Sequence, residues 1–246
     1  VEAANQSELV IAAIGERASM SGEDASRADI SIPGVQEELV QALLDTGKPV
    51  VVVLMNGRPL TISKLTEQVP AIVEGWFLGT ETGNAIADVL LGKYNPSGKL
   101  TMSFPRNVGQ IPVFYNYRQS GRPGTDKLTK WTNRFIDSPV SPLYPFGYGL
   151  SYTTFSYSAP RVSQKEFSTN EILKVSVDVT NTGQYDGEET IQLYIRDVIA
   201  SVTRPVKELK GFKKIFLRKG ETRTVGFELR AEDLSFLSQD MEPVIE

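Results

Sequence analysis

The 246 residues include no His and no Cys. A Ser-His-Asp triad, a thiolate nucleophile and a His- or Cys-ligated zinc site are therefore excluded. Carboxylate chemistry remains open, as does no catalysis at all. The densest group of candidates is the stretch from Gly15 to Asp29, which holds Glu16, Glu23, Asp24, Arg27 and Asp29. Glu16 directly follows an apolar strand, and open α/β sheets carry binding groups at the carboxyl ends of their strands. It reads as a residue that bonds the loop backbone and holds its shape. By residue type alone, Glu23 is one solvated loop carboxylate among several. Arg27 and Asp29 read as an ion pair that fixes the loop. Arg58, just after another buried strand, reads as an anchor for a neighbouring carboxylate or for its own turn.

The elements that must position these residues alternate strand and helix. Leu9 to Ile14 is a short continuous apolar run, as in a buried strand. The spacing predicts a helix over 35–44, with Val35, Leu39, Val40, Leu43 and Leu44 on one face and Gly47 beyond its end. Pro49 to Met55 is a β-branched run, buried on both faces in the manner of a parallel strand. Ala71 to Phe77 reads as the next strand. Thr80 reads as the cap of a helix through Leu91, with Glu81 in its first turn and Gly92 after its last. This order predicts an α/β domain with a mostly parallel sheet covered by helices.

After Asn95 the pattern changes. Residues 105–151 are rich in Pro, Gly and aromatic residues and read as an ordered arm, since so many rings need something to pack on. From Tyr152 the period is two. Leu173, Val175, Val177 and Val179 alternate with polar residues, as do Thr190 to Arg196 and Thr222 to Leu229. Asn181 to Gly183, Asp186-Gly187 and Lys219-Gly220 supply turns, which together predict an all-β sandwich.

Charge adds exclusions. With 26 Lys plus Arg against 30 Asp plus Glu, the net charge is −4. Nucleic acid is not an expected partner, and no apolar run approaches the roughly 20 residues of a membrane span. Gly79 to Gly83 precedes a helix but lacks the Gly-Lys-Ser/Thr ending of a phosphate loop and the spacing of a dinucleotide fingerprint. Helix-on-strand packing explains it better. Trp76, Phe77 and Trp131 read as packing anchors rather than sugar platforms.

Four segments resemble one family, in this order along the chain. They are Gly15 to Asp29 leading into Ile32-Pro33, Gly47 to Pro59, Gly79 to Asp88 continuing through Tyr94 to Pro105, and Tyr144 to Phe155. Gly211 to Ile215 and Lys219 to Thr222 extend the match. Together they resemble the family-three glycoside hydrolases, and within these the bacterial periplasmic β-glucosidases. The resemblance implies a partial α/β sandwich over 1–104, a linker arm over 105–151 and a fibronectin type III-like domain over 152–246 lacking its last strand. The opening strands of the α/β domain are expected to be missing. It implies a TIM-like barrel elsewhere in the same protein, carrying an Asp nucleophile, since a barrel takes about 250 residues.

Matched residue for residue, the resemblance implies that Glu23 is the general acid/base. Glu16, Arg27 and Asp29 are then substrate-binding residues or supports of that loop. The implied activity is a retaining exo-acting β-glucosidase on terminal β-D-glucosyl residues, with no metal and no cofactor. A β-xylosidase or arabinosidase is the alternative within the family, and a non-catalytic carbohydrate-binding or bracing module the alternative outside it. The implied location is periplasmic or secreted, although no leader is read at Val1. The segment alone is expected to be inactive, and its unpaired sheet edges predict a homodimer.

Overall fold

In the computed structural model, residues 1–126 and 131–246 are described. Residues 127–130 of the arm lie outside the described residues. A short helix, α1 (Glu2–Asn5), leads into strand β1 (Val10–Gly15). Helix α2 (Gln36–Leu44), strand β2 (Val50–Met55), helix α3 (Ser63–Gln68), strand β3 (Ala71–Glu74) and helix α4 (Thr82–Leu90) follow. The three strands form a parallel sheet in the order β1-β2-β3. The central strand is the Val-rich run, and Val50, Val52 and Leu54 are completely buried. Each such side chain contributes roughly 1.5–3 kcal/mol by leaving water.

Local expectations are corrected in four places. Helix α2 turns Val40 inward, whereas Val35 and Leu39 are exposed. At about 100° per residue, those two lie well round the cylinder from Val40, and an apolar stripe that wide cannot all face one sheet. Strand β3 ends at Glu74, not Phe77, because Trp76 takes φ +47° and turns the chain out of the sheet. Helix α4 starts at Thr82, with Glu81 rather than Thr80 at its N-cap position; a 3₁₀ turn, Gly79–Glu81, precedes it. Helix α3 was not legible, since six residues are too short to display a period.

The arm is partly core and partly surface. Phe104 is buried at the edge of the first core, with Trp76 at 5.7 Å and Tyr144 at 6.5 Å between ring centroids. Tyr115 stacks on Phe146 at 4.3 Å. Phe114 and Trp131 are instead exposed, so Trp131 is no packing anchor among the described residues.

The β region opens with β4 (Phe155–Tyr157) and β5 (Arg161–Val162), both antiparallel to β6 (Leu173–Asn181). Strands β7 (Gly187–Ile195) and β8 (Glu208–Leu217) pair with each other, and β9 (Thr222–Leu229) pairs with β6. A small pair, β10 (Phe236–Leu237) and β11 (Pro243–Val244), ends the chain. Val179 and Phe227 of one sheet and Ile191 and Leu217 of the other share a core, which makes the two sheets layers of a sandwich. Asn181, completely buried, saturates its amide: it donates to the Tyr185 and Leu217 carbonyls and accepts from Thr153 Oγ1 and the Gly183 N–H.

The segment Tyr94 to Lys99 docks the two regions. Tyr94 donates its hydroxyl to Glu188 Oε2 (2.7 Å), and Lys99 Nζ lies 3.1 Å from Glu189 Oε2. Tyr157 donates to the other oxygen of Glu189 at 2.7 Å. Burial first, then that carboxylate, pushes the Tyr157 phenol far above its usual range.

Candidate functional site

The carboxyl ends of the parallel strands gather the polar residues. Gly15 sits opposite Met55, and Leu54 opposite Glu74. Glu16, Asn56 and Glu74 therefore line one edge. Gly15 has φ +135°, and a Cβ there would stand 2.1 Å from the Met55 carbonyl oxygen, so only glycine fits this close approach. Gln36 seals the strand end, with its amide bonded to both the N–H and the carbonyl of Gly15.

Glu16 has no exposed side-chain surface. A carboxylate so buried must be paired and hydrogen-bonded. Arg27 Nη1 donates to Oε1 at 2.7 Å, and Arg58 Nε lies 3.1 Å from the same oxygen. The Gly57 N–H donates to Oε2 at 3.2 Å. Both guanidiniums then reach onward to loop carbonyls. Arg27 Nη2 donates to Ser31 at 3.0 Å, and Arg58 Nη2 donates to Met20 and, at 2.9 Å, to Ala25. One buried charge thus holds two cations that fasten the loop at Met20, Ala25 and Ser31.

Glu23 stands between those fastenings. Gly22 (φ +121°) and Asp24 (φ +59°) flank it, both in left-handed backbone. Asp is among the few side chains that tolerate this conformation. Two such residues in three make a tight turn that displays Glu23 outward. Its side chain is exposed, with no hydrogen bond or ion pair among the described residues. A proton donor needs apolar surroundings that keep it protonated, and the described residues leave Glu23 open to solvent.

The expected Arg27–Asp29 pair does not form. Arg27 takes the buried Glu16, whose need for a cation is greater. Asp29 turns back on its own backbone, accepting the Ser31 N–H at 2.9 Å. That bond, followed by the Ser31 side chain and the charge on Arg27, holds its carboxyl below the usual range. Arg58 does anchor a neighbouring carboxylate.

Three residues at the site went unnoticed in the sequence: Asn56, Gly57 and Glu74. Asn56 is completely buried; its amide donates to the Arg58 carbonyl (2.8 Å) and to Glu74 Oε2 (3.4 Å), while its Oδ1 has no partner among the described residues. Glu74 also accepts the Trp76 N–H at 2.9 Å. Burial outweighs these two donors and pushes the Glu74 carboxyl up to about 7. Asn56 and Glu74 both sit at strand ends, the signal that singled out Glu16. Among the described residues, no group of three or more Asp or Glu side chains is placed to hold a metal ion. No described helix is long and apolar enough to cross a membrane.

Comparison with known proteins gives this edge a context. The model of the glycosyl hydrolase family 3 C-terminal domain matches residues 1–152, and that of the fibronectin type III-like domain matches residues 189–246. A periplasmic beta-glucosidase of Salmonella typhimurium is 53% identical over 243 residues, 98% of this chain and 32% of its own length. A beta-xylosidase of Formosa agariphila is 48% identical over 246 residues, 100% of this chain and 33% of its own length. Among solved structures, the beta-glucosidase from Listeria innocua in complex with glucose has a TM-score of 0.91 at 46% identity, covering 97% of this chain and 33% of that one. The chain spans about a third of the length of these relatives. With a family model over more than half of its residues and a relative 53% identical along 98% of it, the chain belongs to glycosyl hydrolase family 3, of which it represents the C-terminal and fibronectin type III-like domains.

Proposed function

We propose that this chain is the C-terminal portion of a retaining exo-acting β-glucosidase and that Glu23 is its general acid/base. The observation that carries the reading is the loop itself. A buried carboxylate and two arginines immobilise it at a sheet edge, yet the carboxylate at its apex, Glu23, is left exposed and, among the described residues, unpaired. Glu16, which holds the loop, is buried and bonded, whereas Glu23 takes no part in holding it. A catalytic carboxylate must stay free for a substrate oxygen.

In this mechanism the nucleophile is an Asp of a TIM-like barrel in the same protein, with the two carboxyl groups about 5–5.5 Å apart. Glu23 protonates the departing glycosidic oxygen as the Asp attacks the anomeric carbon. It then takes a proton from the water that releases the sugar. The barrel wall that closes over Glu23 supplies the apolar surroundings that the loop lacks. Asp29 and Arg27 act through the loop's shape. The sandwich, docked through Tyr94 and Lys99, braces the domain, and the arm over 105–151 joins the two. By analogy with the Salmonella relative, the protein works in the periplasm or outside the cell.

The test is Glu23→Gln in the full-length protein. We expect kcat/KM on an alkyl β-glucoside to fall by roughly 10²–10⁴, with activity on a dinitrophenyl β-glucoside largely kept and azide restoring deglycosylation. Equal rates with both variants of the residue would leave only a bracing role. The 246-residue chain alone is expected to be inactive on aryl β-glucosides.

A second reading, β-xylosidase, is favoured by the 48% identity to the Formosa enzyme along the whole chain. Comparing aryl β-glucoside with aryl β-xyloside turnover decides between them. The free edge of β1, with Ile11 exposed, supports self-association of the chain by itself. Sedimentation velocity measures it.

A further inference from the structure

The turn Asn56–Arg58 touches the Glu23 loop in more than its hydrogen bonds. The backbone of Gly57 lies directly against Ser21 and Phe77. A Cβ on residue 57 would stand 1.9 Å from Ser21 Oγ, 2.7 Å from Ser21 Cβ and 2.8 Å from Phe77 Cε2. Rotating the Ser21 hydroxyl away would relieve only the first of these contacts. Gly57 does not adopt a left-handed φ, so its backbone would accept a side chain and only the space forbids one.

The turn cannot retreat to make room. Asn56 is completely buried beneath it and bonded to both the Arg58 carbonyl and Glu74. The Gly57 N–H is committed to Glu16, and the Arg58 guanidinium to the loop carbonyls on either side of Glu23. A side chain at 57 would therefore displace the loop. Ser21 would move by roughly 1 Å or more to regain ordinary van der Waals separation, and Ser21 is two residues from Glu23.

We infer that Gly57, with Phe77 as the second wall of its slot, is a positioning residue for Glu23: the bare backbone at 57 seats Ser21 and so sets where the carboxyl stands. This inference rests on the acid/base reading of Glu23. A misplacement of about 1 Å in a catalytic group costs up to roughly 10²-fold in rate. The loss falls on substrates that need the proton, while a structural defect lowers all rates together.

The experiment compares Gly57→Ala and Glu23→Gln in the full-length protein, on an alkyl and a dinitrophenyl β-glucoside. For Gly57→Ala we expect about a 10²-fold loss of kcat/KM on the alkyl substrate, with KM unchanged. On the activated substrate the loss is less than about 3-fold, because its leaving group departs unprotonated. Adding Ser21→Gly to Gly57→Ala removes the closest contacts and recovers at least about 10-fold on the alkyl substrate. A folded Gly57→Ala protein without this selective loss, beside a Glu23→Gln protein that has it, overturns the positioning role and leaves the acid/base reading standing. An unselective Glu23→Gln protein overturns both. If Gly57→Ala does not fold, Phe77→Ala decides, since that ring is exposed and its removal spares the core. Selective loss supports the inference, and equal losses on both substrates refute it.

Discussion

The carboxylate of Glu16 and the guanidinium of Arg27 meet at 2.7 Å, closing the chain into a loop with Glu23 on its outer turn. Glu16 is fully buried, whereas Arg27 keeps about a fifth of its side-chain surface in water. Removing the buried partner strips Arg27 and Arg58 of the carboxylate that pairs with both. Glu16→Ala is therefore expected to cost about 3 kcal/mol. A lower urea midpoint with an unchanged slope is the measurement that checks it.

Glu74 makes stability depend on pH. Its folded carboxyl titrates near 7, above the ordinary 4.5, so the folded state binds the proton more tightly than the unfolded chain does. The stabilisation is fully present below about 4.5, declines as the pH rises to about 7, and is absent above that. Glu74→Gln stays neutral throughout. The variant should be more stable than the parent at pH 8, by up to about 3 kcal/mol, and nearly equal at pH 4. Urea titrations at the two pH values decide the matter, and equal differences at both would remove Glu74 as the cause.

Lys99 joins the two regions through Glu189, which is 8% exposed. Lys99→Ala leaves that carboxylate without its cation and breaks the bond from Lys99 to the Gly149 carbonyl. The expected cost is about 3 kcal/mol. Because the pair spans the docking surface, calorimetry should show the single transition separating into two. A single transition, merely shifted, would place the coupling elsewhere.

Gly15→Ala brings a methyl group into the Met55 carbonyl and forces a left-handed φ on alanine. Both effects oppose folding, and we expect a loss of at least about 2 kcal/mol. Thermal unfolding of the variant measures it.

Much of the architecture is legible because its causes are local. Val50–Met55 announces itself as a buried strand by an unbroken β-branched run, and Leu173–Asn181 by alternation against a single apolar layer. Glu208–Leu217 hides its alternation because Lys213 and Lys214 interrupt it, although it pairs with β7 from end to end apart from a register shift at Leu193/Tyr194. The span of α2 follows from its period, but which of its apolar residues face the sheet does not, since only the sheet's position selects Val40 over Leu39.

The candidate site divides in the same way. Residue types excluded histidine and cysteine chemistry, and strand ends picked out Glu16, since a carboxylate entering a loop from a strand is a local feature. Arg27 looked destined for Asp29, two residues away. Folding gave it Glu16 instead, because a charge sealed at a strand end cannot go unpaired, whereas an exposed one can turn to its own backbone. Gly57 carries no local signal at all. Its φ is ordinary, and its requirement for glycine arises where residues 21, 57 and 77 converge. Composition and period thus determined which chemistry and which elements this chain possesses. Tertiary structure alone decided which charges are buried and which backbone must stay bare, because burial and close approach are properties of distant segments brought together.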